Sequence, residues 1–211
     1  MDILKTIALT IHIASGTTAL ITGLTAIITK KGGKTHKQAG MIFFTSMLIV
    51  AGSAIIISIA IKNTFLLLVG FFTLFMDYFG YRAIKNKSLM PTKLDWAVLV
   101  LGAVTSFFMI YSLNIILLVF GALNASLVLR VLRINILLMQ NKPLQKLEWL
   151  HRHIGMMLGT YIGTTTAFVV VNVKNVNPAW LPWLLPSFIG VPLIAFWIRK
   201  YSTKNAVAPT G

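Results

Sequence analysis

Cysteine is absent from this 211-residue chain. That excludes disulfides, thiolate metal sites and cysteine nucleophiles. Acidic residues are nearly absent as well: only Asp2, Asp77, Asp95 and Glu148 occur. So few carboxylates give paired-carboxylate hydrolysis little support. A phosphate-cradling glycine loop with its lysine, an HExxH helix and a GxSxG elbow are all missing. The catalytic residues of an enzyme, if it is one, are therefore unassigned. Charged residues make up 11% of the chain against 57% apolar. A soluble domain is about a quarter charged, so this chain lacks the polar residues for a solvated shell.

What is present is a series of long apolar runs. Crossing about 30 Å of hydrocarbon takes roughly 18 or more such residues as a helix. The runs predict an all-α, polytopic membrane bundle: a single membrane domain over residues 1–211 with seven transmembrane helices. The expected spans are 3–29, 40–61, 64–81, 94–112, 114–133, 153–173 and 179–198. The first apolar run, Ile7–Thr29, is longer than a signal-peptide core and lacks a small-residue cleavage site, which predicts a retained span. Residues 135–150, amphipathic and containing Lys142, Pro143 and Lys146, are expected to form an interfacial helix. Pro182, Pro186 and Pro192 are expected to bend the last span or break its hydrogen bonding.

The net charge is +15. Threading the spans alternately puts sixteen of the nineteen Lys and Arg on one side and leaves Lys5, Lys62 and Lys174 on the other. Cytoplasmic loops carry such an excess, so the N-terminus is expected outside and the C-terminus, with Lys204, in the cytoplasm. The basic surface then suits anionic lipid head groups rather than nucleic acid. Trp180, Trp183 and Tyr111 fall at the outer ends; Trp96, Trp149, Trp197 and Tyr201 fall at the inner ends, as interfacial belts do.

Within this frame a few polar residues stand out. Three pentapeptides run from His to Gly: His12–Gly16, His36–Gly40 and His151–Gly155. Residues four apart share a helical face, so each glycine opens space beside an imidazole. Gly155, Gly159 and Gly163 continue such a face, a pattern that commonly serves close helix packing. His36 and His153 both begin spans at the cytoplasmic side. Asp77, four or five residues before the expected end of its span, is placed near that face too, where it could meet Asp95, His36 and His153. An ionisable group inside an apolar span is costly, and is usually functional or paired. Asp95, Glu148 and His151 are expected in an interfacial ion-pair network. His12 lies near the outer face, about 25–30 Å from His36 by helical rise. Its candidate neighbours are Tyr161, Thr164, Thr165, Thr166, Asn172, Tyr111 and Asn114.

These residues resemble a bacterial multi-pass membrane family catalogued as domain of unknown function 2306. The resemblance is carried by His12-Ile-Ala-Ser-Gly16 through Gly23 and Lys31 through Gly40, by Asp77-Tyr-Phe-Gly-Tyr-Arg82 with Pro91–Trp96, and by Trp149-Leu-His-Arg-His153 through Tyr161 to Asn172. It covers nearly the whole chain. It implies a multi-pass protein of the bacterial inner (plasma) membrane, without a particular activity, and directs attention to His12, His36, His153 and Tyr161. Family members often carry Arg before the methionine that is Met157 here; Met156 departs from that, which argues against a role for a cation there.

Three readings of function follow. The first is a protein that binds or transports a small molecule or ion through a polar pocket, with His12, His36, Asp77, His153 and Tyr161 as ligand-binding residues. The second is a membrane redox protein holding haem b or a divalent metal on His36 and His153. The third is a structural or assembly factor whose glycine faces meet partner helices, in a homo-oligomer or with another protein. Haem absorbance and elemental analysis of the purified protein separate the second from the others.

Overall fold

The structure, a computed structural model, describes residues 2–206, with side chains described for residues 3–202. Lys204 lies outside the residues whose side chains are described. Seven helices follow one another: α1 (Asp2–Ile28), α2 (Lys34–Ala60), α3 (Thr64–Lys85), α4 (Lys93–Tyr111), α5 (Ile115–Met139), α6 (Glu148–Asn172) and α7 (Leu181–Ala206). All seven are long and apolar enough to cross a membrane, and no strand occurs among the described residues. The protein is a multi-pass membrane protein.

Several helices outrun the apolar runs. α2 begins at Lys34, α3 continues to Lys85, α5 to Met139, and α6 begins at Glu148. Hydropathy marks the hydrocarbon-spanning part only. Lys, Arg, Gln and Glu are good helix formers, so the helix carries on into the head-group layer. Residues 135–150 are not a separate interfacial helix. Their first part completes α5, residues 140–147 form turns and irregular chain, and 148–150 open α6. Pro143 lacks an N–H to continue a helix. Asn141 and Leu147 take positive φ values of 54° and 67°, which ends helical winding on either side of it. α7 is helical through Pro186 and Pro192. The missing N–H groups cost hydrogen bonds there without ending the helix.

Contacts cluster in two compact units. The first comprises the chain up to Asp77 together with Thr92–Leu132; the second comprises Tyr78–Pro91 and the chain from Arg133 onward. In the first unit α1 packs along α2, joined by a short loop in which Gly32 takes φ +76°. α2 meets α3 where Gly70 lies against Ile55 and Ala51. Phe72 of α3 stacks on Phe120 of α5 with centroids 6.0 Å apart. α4 starts from a capping box: the Thr92 hydroxyl accepts from the Asp95 N–H at 3.3 Å, and the Thr92 N–H donates to Asp95 Oδ2 at 2.6 Å. In the second unit α6 packs on α7, with Gly190 opposite Ile162. Gly80 lies against Met156 and Met157, and Ala83, Leu89 and Ile134 form a buried cluster.

Two glycines of the sequence stripe, Gly155 and Gly163, do not pack closely. A Cβ on Gly155 or Gly163 would meet nothing within 4 Å, whereas one on Gly102 would lie 2.5 Å from the Phe75 ring and 3.1 Å from Val128. Phe75 is buried and cannot yield cheaply. Gly102→Ala is therefore expected to cost about 1–3 kcal/mol through overpacking. Gly155→Ala should stay within about 0.5 kcal/mol of the parent. Chemical unfolding of both variants in detergent micelles checks the contrast.

Candidate functional site

Three of the four histidines are held in the same way. His12 Nδ1 lies 3.2 Å from the Val50 carbonyl and 3.0 Å from Ser53 Oγ. His36 Nδ1 is 2.9 Å from the Ala26 carbonyl, and His153 Nδ1 is 2.9 Å from the Gly80 carbonyl. A carbonyl only accepts, so Nδ1 carries the hydrogen in each ring. Nε2 is then the basic nitrogen of the neutral ring, the tautomer logic that sets up histidine as a proton acceptor or ligand. For His12 and His36, Nε2 has no hydrogen-bond partner among the described residues. Ser53 supports this assignment. Its hydroxyl donates to the Ile49 carbonyl at 2.7 Å, leaving Oγ to accept from His12.

The Nδ1 partners of His12 are thus on α2, and the sequence reading did not name them. Sequence reasoning missed Ser53, although a signal existed. The loop after α1 is short, so the two helices form a hairpin, and residues equally far from the loop face each other. His36 obeys the same register. It also has a structural role. The last carbonyls of a helix lack internal donors; here Ala26 accepts from His36 and, at 3.0 Å, from Lys31 Nζ, which also bonds the Ile27 carbonyl.

His151 differs: its Nε2 lies 2.8 Å from Ser202 Oγ, which donates to the Ile198 carbonyl at 2.8 Å. It therefore ties α6 to α7. Asp95 serves the capping box of α4. Glu148 and Arg152 are buried, 7% and 6% exposed, one turn apart at the start of α6. Tyr161 is half-buried on α6, where its carbonyl accepts from Thr165 at 2.9 Å.

Asp77 differs from these groups. Its side chain is 0% exposed, and neither carboxylate oxygen has a hydrogen-bond partner. Thr73, one turn earlier, gives its hydroxyl proton to the Val69 carbonyl at 2.9 Å. Asp77 shares a face of α3 with Gly70, two turns back. Asn124 on α5 is also 0% exposed; its Nδ2 donates to the Gly102 carbonyl at 3.0 Å, while Oδ1 has no partner. The unmet need in the first unit consists of acceptor oxygens.

Contacts between helices fix the levels of these groups along the first unit. His12 sits opposite Val50 and Ser53, and Gly70 sits opposite Ala51 and Ile55, so His12 and Gly70 are level. Asp77 is about 10 Å beyond that level, at 1.5 Å rise per residue. Ala26, which holds His36, is about 21 Å beyond it by the same rise. The Phe72–Phe120 stack sets α3 level with α5, which puts Asn124 within about one turn of Asp77 in depth. Asp77 is therefore midway between His12 and His36, not at the level of His36. It lies eight residues before the end of α3 because that helix runs on to Lys85.

Among the described residues, no three His, Asp or Glu side chains are grouped to hold a metal ion. Two of the open surface grooves among the described residues can be placed. One, of about 430 Å³, runs along Pro192, Phe196 and Lys200 of α7; the other, of about 290 Å³, lies between the 86–92 and 140–149 segments. Neither is lined by His12, His36, Asp77, His153 or Tyr161. The bond between His12 and Ser53 is open to a direct test. Ser53→Ala is expected to lower unfolding stability by about 0.6 kcal/mol, the average for a side-chain bond within membranes. Denaturation in detergent of the parent and the variant measures it.

No curated protein and no solved structure matches the chain. A family described as Predicted membrane protein (DUF2306) matches residues 9–96. That region takes in His12, His36, Asp77 and the Asp95 capping box; the block from Trp149 to Asn172 lies outside it. The resemblance is thus shown over α1, α2, α3 and the start of α4: in residues 9–96 the chain is similar to the predicted membrane proteins of the DUF2306 family.

Proposed function

We propose that the first unit binds a proton or a small monovalent cation at Asp77 and passes it across the bacterial inner membrane between the levels of His12 and His36. The observation that carries this is the pair of unpartnered oxygens on a fully buried carboxyl group. Burying an isolated carboxylate without compensation is expensive, and ionisable groups retained inside spans commonly mark ion paths. A bound proton or cation supplies what the protein leaves out. Asn124 Oδ1, near the same depth, offers a further acceptor. A site for so small a species needs no ligand-sized cavity.

The chemistry is an exchange at fixed groups. Asp77 carboxylate takes up a proton to give the acid and releases it on the other side. His12 and His36 each present Nε2 as a basic nitrogen, one about 10 Å before Asp77 and one about 10 Å after it. Water entering transiently along the helices bridges these intervals. The charge asymmetry of the loops supports an N-terminus outside. His12 then faces the exterior and His36 the cytoplasm.

The test uses purified protein in liposomes with an imposed pH gradient and an internal pH dye. The parent is expected to collapse the gradient faster than empty liposomes. Asp77→Asn, which keeps shape but cannot exchange a proton, should reduce that rate about tenfold or more, the scale of losing a positioned acid–base group. Repeating the experiment with a sodium gradient separates proton from sodium movement. Equal rates for Asp77→Asn and the parent, or a parent no faster than empty liposomes in either gradient, would overturn the reading.

A further inference from the structure

We propose that the groove between the 86–92 and 140–149 segments of the second unit binds the phosphate of an anionic glycerophospholipid from the surrounding bilayer. The proposal does not depend on Asp77 or on ion passage. The groove is open and measures about 290 Å³. Its base is apolar: Leu89, 5% exposed, belongs to the buried cluster, and Leu138, Leu144 and Trp149 pack against that cluster. Its rim is cationic, with Lys87 and Lys142 both exposed. Lys87 Nζ lies 4.9 Å over the Trp149 ring. This seats a charge at the edge of the apolar floor, as an amphipathic side chain at a membrane interface does. Glu148 is the one acid in the lining; it is 7% exposed and already engages the protein. The accessible charge of the groove is therefore positive.

Position favours a lipid over a soluble anion. One wall follows the end of α3 and the other follows the end of α5. Alternate spans end on the same side of a membrane, so both walls lie where hydrocarbon gives way to head groups. Leu89 and Leu147, on opposite walls, take φ values of 60° and 67°. A left-handed conformation is unfavourable for such residues, and here Leu89 repays it by burying its side chain in the cluster. The chain is thus bent to present an apolar floor beneath two lysines. A phosphodiester with its first acyl carbons covers both parts of that surface, whereas inorganic phosphate uses the rim alone. Lysines near an anionic leaflet contribute attraction of this kind. A choline or ethanolamine ammonium would sit unfavourably beside the same two cations.

The experiment takes the full chain in detergent and measures retained lipid by native mass spectrometry, with thermal midpoints, in added phosphatidylglycerol, phosphatidylcholine or sodium phosphate. Phosphatidylglycerol is expected to be retained and to raise the midpoint more than the other two. Lys87→Gln with Lys142→Gln should lower its retention about tenfold or more. Lys87→Arg with Lys142→Arg, which keeps both charges, should preserve it. Unchanged retention in the glutamine pair overturns the proposal. So does an equal effect of phosphatidylcholine, and so does reproduction of the midpoint shift by sodium phosphate, which would mark a free-anion site.

Discussion

The hydrocarbon interior of a bilayer contains no water to satisfy a polar group, so the protein must do it internally. That constraint shapes this chain at every scale. The backbone becomes seven long helices because a helix pairs its own N–H and C=O groups. The hydroxyls of α1 follow the same rule: Thr10, Thr17, Thr18, Thr22 and Thr25 each donate to the carbonyl four residues earlier. His12, His36 and His153 each give Nδ1–H to a main-chain carbonyl. Against this near-complete satisfaction, Asp77 is conspicuous. Among the described residues it is the one fully buried carboxyl group, and both its oxygens lack a partner. A sequence that spends four acids in all keeps one of them where it is most costly.

Much of the fold is legible in the sequence because a single physical quantity, apolar run length, decides it. The seven spans follow from runs and breakers. Helix ends are harder to read. Hydropathy falls at the head-group boundary while the hydrogen-bonding pattern continues, which is why α3 extends to Lys85 and α6 begins at Glu148. That shift moved Asp77 from the membrane edge to the middle of the ladder. Asp95 is readable as a capping residue, since Thr92 stands three before it.

The candidate site was legible in its members and not in its connections. His12, His36 and Asp77 were visible as polar residues in or beside apolar runs. The partners Ser53 and Ala26 come from hairpin register, and Asn124 comes from the stacking of Phe72 on Phe120, a tertiary contact that no local pattern reveals. The glycines teach the same lesson. A small residue every fourth position looks like a seam, but Gly155 and Gly163 meet nothing, while the isolated Gly102 sits under Phe75. Which small residues pack depends on the neighbour's rotation about its axis.

We propose Asp77 as an exchangeable acid inside the bilayer, held without a protein partner. Infrared difference spectroscopy of the protein in lipid, recorded across pH and after exchange into heavy water, observes it directly. The account predicts a carboxylic-acid stretch that changes with pH, shifts in heavy water and vanishes in Asp77→Asn. A spectrum in which the pH-dependent carboxyl signal is the same in the parent and in Asp77→Asn would contradict it.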